Sequence, residues 1–146
     1  PEIPRIEGWT IQYRASQGLA IGSTGGKNSA GLLIQNADIV SVAQTHPVLG
    51  GTNYLLEMEA AWRVSPDNRT WVQLIWRDFS GNTLEKSVPL RLLSGQEKQG
   101  GTWRFALQAP TNAYDLKVGI VTNRQYAGDF LELRSVELSE LVPSPE

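Results

Sequence analysis

Apolar residues recur along most of this chain at every second position rather than every third or fourth. Residues 9–13 alternate through Trp9, Ile11 and Tyr13. Tyr54, Leu56, Met58, Ala60 and Trp62 share one phase, and Glu57 and Glu59 hold the other. The same pattern groups Val72, Leu74 and Trp76, then Trp103, Phe105 and Leu107, then Leu116, Val118 and Ile120. The last run carries Leu131 and Leu133 and, after a bulge, Val136 and Leu138. A period of two sends successive side chains to opposite sides of a strand. No segment carries a helical stripe with caps.

Turn-forming residues fall between these runs: Gly25-Gly26, Gly50-Gly51, Ser65-Pro66-Asp67-Asn68, Ser80-Gly81-Asn82, Gly100-Gly101, Pro110-Thr111-Asn112 and Gly128-Asp129. Their spacing predicts about eight to ten short antiparallel strands. One face of each strand is apolar and the other mixed, as in two stacked antiparallel sheets. Pro89 interrupts the run at 87–93, which places that segment at a sheet edge, where a missing donor is tolerated.

At 146 residues the chain can close a hydrophobic core without covalent staples. The prediction is one domain over residues 1–141 with a linker-like tail at 142–146. That tail, the Pro1 start and the lack of an apolar leader point to a piece of a longer secreted or surface polypeptide, whose other domains are then partners. Thirteen basic residues against fifteen acidic ones leave a net charge of −2. Such a balance argues against a nucleic-acid partner, which needs a basic face to displace counterions. No cysteine is present, so disulfides, thiol catalysis and thiolate zinc sites are excluded. No apolar run approaches the length of a membrane-spanning helix.

Four stretches, in order, carry a likeness to known proteins. Ile6-Glu7-Gly8-Trp9 stands before the first strand. Gly50-Gly51-Thr52-Asn53-Tyr54-Leu55-Leu56 leads into a long central one. Leu74-Ile75-Trp76-Arg77-Asp78-Phe79-Ser80-Gly81 ends a strand in an Asp-x-x-Gly turn, and Trp103 to Ala109-Pro110, Ala113 and Val118-Gly119-Ile120 follow. This order resembles the jelly-roll carbohydrate-binding modules appended to polysaccharide-degrading enzymes, the broad group that includes families 4, 9, 16 and 22. The resemblance spans residues 6–141. It implies a jelly-roll β-sandwich that binds polysaccharide or oligosaccharide without catalysis, outside the cell or on its surface. Such modules often finish with an Asp-Asp-Val-x-Leu strand that helps hold a structural calcium. Here Arg134-Ser135-Val136-Glu137-Leu138 puts a guanidinium at that place, leaving Glu7 and Asp129 as oxygen donors, and no cofactor is expected.

Sugar recognition needs flat aromatic rings beside fixed polar groups. Trp62, Trp76 and Trp103 lie in phase with aliphatic residues and are expected in the core. Trp71 lies out of phase with Val72 and Leu74 and should point outward, and Tyr126 falls in a loop; these two are the candidate stacking platforms. Glu57, Glu59, Gln73, Arg77 and Asn123 occupy polar phases and are the candidate hydroxyl-binding groups. If their strands lie side by side they form one shallow groove with Gly119 at its floor. The competing reading is a solvated face laced by salt bridges such as Glu59–Arg77.

Glu57 and Glu59, about 6.5–7 Å apart along a strand, also raise glycoside hydrolysis. The third acid of the jelly-roll glycosidase pattern is missing, and no catalytic residue is assigned. His46, the single histidine, is expected in a loop before Pro47. With no cysteine and no second histidine, no transition-metal site is expected. The second reading, ahead of a small glycosidase or lyase, is a structural or adhesion spacer in a multidomain protein that binds another protein or nothing.

Overall fold

The computed structural model describes residues 9–14, 20–23, 31–86 and 91–142. Among them are eleven strands and no helix: β1 (Thr10–Arg14), β2 (Ala20–Ser23), β3 (Leu32–Gln35), β4 (Ile39–Pro47), β5 (Asn53–Val64), β6 (Arg69–Arg77), β7 (Thr83–Lys86), β8 (Arg91–Leu93), β9 (Gly95–Gln108), β10 (Asp115–Asn123) and β11 (Phe130–Glu140). Two antiparallel sheets form. Sheet A runs β1-β4-β10-β6-β7, with β8 also paired to β6; sheet B runs β2-β3-β11-β5-β9. The architecture is the jelly-roll β-sandwich that the alternation and the resemblance imply.

The core follows from strand parity. In sheet A, Val40 and Val42 of β4, Leu116, Val118 and Ile120 of β10, and Val72, Leu74 and Trp76 of β6 turn inward and are buried. Sheet B answers with Leu32 and Ile34 of β3, Leu131 and Leu133 of β11, and Leu56 and Met58 of β5. Trp62 and Trp103 meet inside, with ring centroids 5.2 Å apart. All three tryptophans expected in the core are there, at 5–8% exposure. Each fully buried aliphatic side chain contributes about 1.5–3 kcal/mol, which is why the large apolar side chains keep inward parity; the small Ala43 and Ala61 are buried at outward phase.

Local details bear out several sequence signals. The bulge before Val136 lies between Leu133 and Ser135. Asp78 and Gly81 close the β6–β7 turn, with the Gly81 amide donating to the Asp78 carbonyl and the Asn82 amide to Asp78 Oδ1. Gly50 packs against the carbonyl of Thr111, and a β-carbon there would collide with that oxygen. β7 and β8 flank Pro89 and both pair with β6 at the edge of sheet A; Pro89 itself, like Gly25-Gly26 and Glu7, lies outside the described residues.

Other expectations need correction. The strand count is eleven among the described residues, above the expected range, because β2, β3, β4 and β7 are short or carry mixed patterns. Gly100-Gly101 is not a turn but part of β9, paired with Ala61 and Ala60. A β-carbon at Gly100 would come within 3.1 Å of the Ala60 carbonyl, so the absence of a side chain lets β9 run close to β5. His46 sits within β4 rather than in a loop, opposite Leu116.

Replacing Leu116 by Ala is expected to cost about 2–5 kcal/mol in urea unfolding. Gln108→Ala, at an exposed position, is expected to stay within about 0.5 kcal/mol. Equal effects at the two positions would contradict the parity described above.

Candidate functional site

The outward face of sheet A is a set of rows read across the ladder. From one end, Asn123 stands between Arg69 and Ile39, Val121 between Trp71 and Ser41, and Gly119 between Gln73 and Ala43. Lys117 then stands between Ile75 and Thr45, and Asp115 between Arg77 and Pro47. Leu92 of β8 extends the Trp71 row. The middle row has no side chain at Gly119 and only a methyl at Ala43, so the floor is low there. The taller Trp71 row borders it on one side and the Ile75–Lys117 row on the other.

Of the predicted site residues, Trp71, Gln73, Arg77 and Asn123 share this face. Trp71 is half-buried, while the other four tryptophans are buried. Gln73 is also half-buried and makes polar contacts of its own. Arg77 donates from Nε and Nη2 to the two oxygens of Asp115, at 2.8 and 2.9 Å. This bidentate pair fixes the guanidinium plane. Asn123 is half-buried, and its Oδ1 is buried without a hydrogen-bond partner among the described residues.

Glu57 and Glu59 do not join them. β5 belongs to sheet B, so both carboxylates project from the opposite side of the sandwich. Glu57 accepts from Arg104 Nε at 3.0 Å, and Glu59 lies 3.7 Å from Arg134, which also donates to Glu132 at 2.7 Å. The Glu59–Arg77 bridge weighed from sequence does not form, because the partners lie in different sheets. Outward phase was legible locally, but sheet membership was not.

Tyr126 is exposed, in the loop at 124–129 that follows Asn123. That loop is pinned from below by a buried polar cluster. Asp129, 1% exposed, accepts from Ser65 Oγ at 2.6 Å, from Asn68 Nδ2 at 3.3 Å and from the Tyr126 amide at 2.9 Å. Asn68 in turn accepts from Thr70 Oγ1, which bonds Thr122 Oγ1 across the ladder at 2.7 Å. Gly128 has φ of 90°, a backbone conformation that strains any residue with a β-carbon, and lies under the end of the Arg63 side chain. Burial alone would raise the Asp129 carboxyl. Donation from the Ser65 hydroxyl, the Tyr126 amide, the Asn68 amide and the Ser65 backbone outweighs it and holds the group below its ordinary 3.8.

These contacts also decide the calcium question at Asp129. Both carboxylate oxygens face N–H and O–H donors rather than further oxygen ligands, and Arg134 stands among Glu59 and Glu132. The described residues at these positions do not fit the cation.

Alternation also places Lys117 on the outward face of sheet A, in phase with Gly119 and Asn123, whereas sequence reasoning missed Arg69 and the Asp129 cluster. Thr70 and Thr122 held the signal: two polar residues at inward phase on neighbouring strands imply a satisfied pair.

No protein-family model matches the chain, and no curated protein sequence matches it. Solved structures do. The enzymatically active domain of bacteriophage CBA120 tailspike protein 4 aligns with a TM-score of 0.72 at 13% identity, covering 94% of this chain and 20% of that one. The C-terminal family 22 carbohydrate-binding module of Clostridium thermocellum Xyn10B aligns at 0.60 and 15% identity, covering 93% and 88%. TmCBM61, in complex with β-1,4-galactotriose, aligns at 0.55 and 12%, covering 93% and 90%. The chain thus spans the length of the modules but a fifth of the tailspike chain. The likeness is one of fold.

Asp129→Ala is expected to cost about 2–4 kcal/mol, since Asn68, Ser65 and the Tyr126 amide lose a buried acceptor. Acid unfolding is expected in two windows. Burial lowers His46 below its ordinary 6.5, so the unfolded chain binds that proton first. Stability is full above that value and falls as pH drops from it toward the folded value. The Asp129 contribution is full above 3.8 and is lost as pH falls through its lower folded value. His46→Gln should abolish the upper window and leave the lower one, in denaturant titrations run across pH.

Proposed function

We propose that this chain is a non-catalytic carbohydrate-binding domain whose ligand lies on the outward face of sheet A. The observation that carries the reading is the ladder itself. It brings Trp71, Gln73, Arg77 and Asn123 onto one face around the low floor at Gly119 and Ala43. Trp71 supplies a flat apolar surface for one face of a pyranose ring. The Gln73 amide, the half-buried Asn123 side chain and the edge of the Arg77 guanidinium are the groups proposed to bond hydroxyls around it. Tyr126 adds a second ring at the Asn123 end. Modules of this fold with named sugar ligands, such as the one holding β-1,4-galactotriose, support the class of ligand.

Glu57 and Glu59 have no place in this site. Both are engaged by arginines on the far face, and no acid–base pair is assigned. In the proposed role the domain tethers a larger secreted or surface protein to polysaccharide. The match to one fifth of a tailspike chain supports a position as one domain of a longer protein. It also favours a second reading, a spacer in such a protein that binds no glycan.

Affinity electrophoresis of the domain through a panel of polysaccharides separates the two. The expected result is retardation by at least one polysaccharide. Trp71→Ala should weaken binding at least tenfold, about 1.4 kcal/mol, and Glu59→Gln should leave it unchanged. Unretarded migration of the folded domain on every polysaccharide would favour the spacer. Hydrolysis that stops in Glu59→Gln would overturn the non-catalytic reading.

A further inference from the structure

The charges on the two outward faces differ in kind. On sheet B, Arg104 and Arg134 are each matched by glutamates. Sheet A carries Arg69, Arg77, Lys117 and Asp115 among its described outward side chains. Asp115 is consumed by the bidentate pair with Arg77. Arg69 and Lys117 have no carboxylate partner among the described residues. The face therefore bears a local positive surplus on a chain whose net charge is −2. A surface meant only for neutral hydroxyls has no need of it, and the acceptor carboxylates that such a surface would use, Glu57 and Glu59, stand on the other side.

Arg69 is also well placed. It is exposed, it precedes Trp71 by two positions on the same strand face, about 6.5–7 Å away, and it pairs in register with Asn123. Its side chain borders a cleft of about 320 Å³ whose lining includes Ser65, Ser94, Gln96 and Leu92. Leu92 is in register with Trp71, so the cleft opens from the end of the Trp71 row. A ring stacked on Trp71 would present a substituent at its edge to the Arg69 guanidinium. The planar fork of donors matches a carboxylate bidentately.

We infer that the ligand of this face is an acidic polysaccharide, with the carboxylate of a uronate residue held by Arg69 and the chain's further charge attracted by Lys117. The inference rests on the glycan reading above and names its substrate class.

The test is titration calorimetry of the intact chain with oligosaccharides of galacturonate, of alginate and of glucuronoxylan. Neutral β-1,4-galactan and unsubstituted xylan oligosaccharides and a sulfated galactan complete the panel, at low and high salt. The expected result is binding to a uronate oligosaccharide at least tenfold tighter than to either neutral one. That advantage should be reduced by high salt and abolished in Arg69→Gln, whereas Arg104→Gln on the far face keeps it. Neutral oligosaccharides bound as tightly as uronates, with Arg69→Gln unchanged, would overturn the acidic ligand and leave glycan binding standing. Binding to the sulfated galactan alone would overturn the carboxylate assignment. No binding to any member by a chain with an intact β-sheet circular-dichroism spectrum would overturn both readings.

Discussion

The pairing of β10 between β4 and β6 is the constraint on which the rest turns. Along its nine residues the inward set Leu116, Val118, Ile120 and Thr122 is sealed against sheet B. A slip of one position would bring Lys117 and Asn123 into the core and expose Leu116, Val118 and Ile120. Because both neighbours are held in register by this strand, parity at β10 also decides what β4 and β6 show outward. Trp71, Gln73 and Arg77 stand outside for the same reason that Val72, Leu74 and Trp76 stand inside.

Much of this was legible in the sequence, for a physical reason. Alternation is local: it needs only neighbouring residues and a strand. Trp71 was separated from Trp62, Trp76 and Trp103 by phase alone. The bulge before Val136 was marked by a break in the same rhythm. What alternation cannot encode is which strands become neighbours, since that is set by long-range packing. Glu57 and Gln73 both read as outward polar positions, yet one faces away from sheet B and the other away from sheet A. The glycine pair at 100–101 misled for a related reason. Glycine permits a turn and equally permits close approach of two backbones, and only the partner strand decides between them.

The polar cluster around Asp129 shows a different limit. Its members come from the turn at 65–68, from β6, from β10 and from the loop at 124–129, segments far apart in sequence. In the sequence, Ser65, Asn68 and Asp129 read as ordinary turn residues. Together they satisfy a buried carboxylate, which would be costly if any donor were absent. The buried part of the molecule thus settles how the loop at 124–129 sits, while the outward charges on sheet A are not tied to that packing.

The tethered amide of Tyr126 has one last implication. A ring carried on a loose loop must surrender backbone freedom when it meets a partner, at about 1–2 kcal/mol for each residue ordered. Here that freedom was given up during folding, because the carboxylate below already grips the peptide group. In the proposed role, a ligand at Tyr126 would therefore meet a backbone already held in place, with little beyond the side-chain rotation left to freeze.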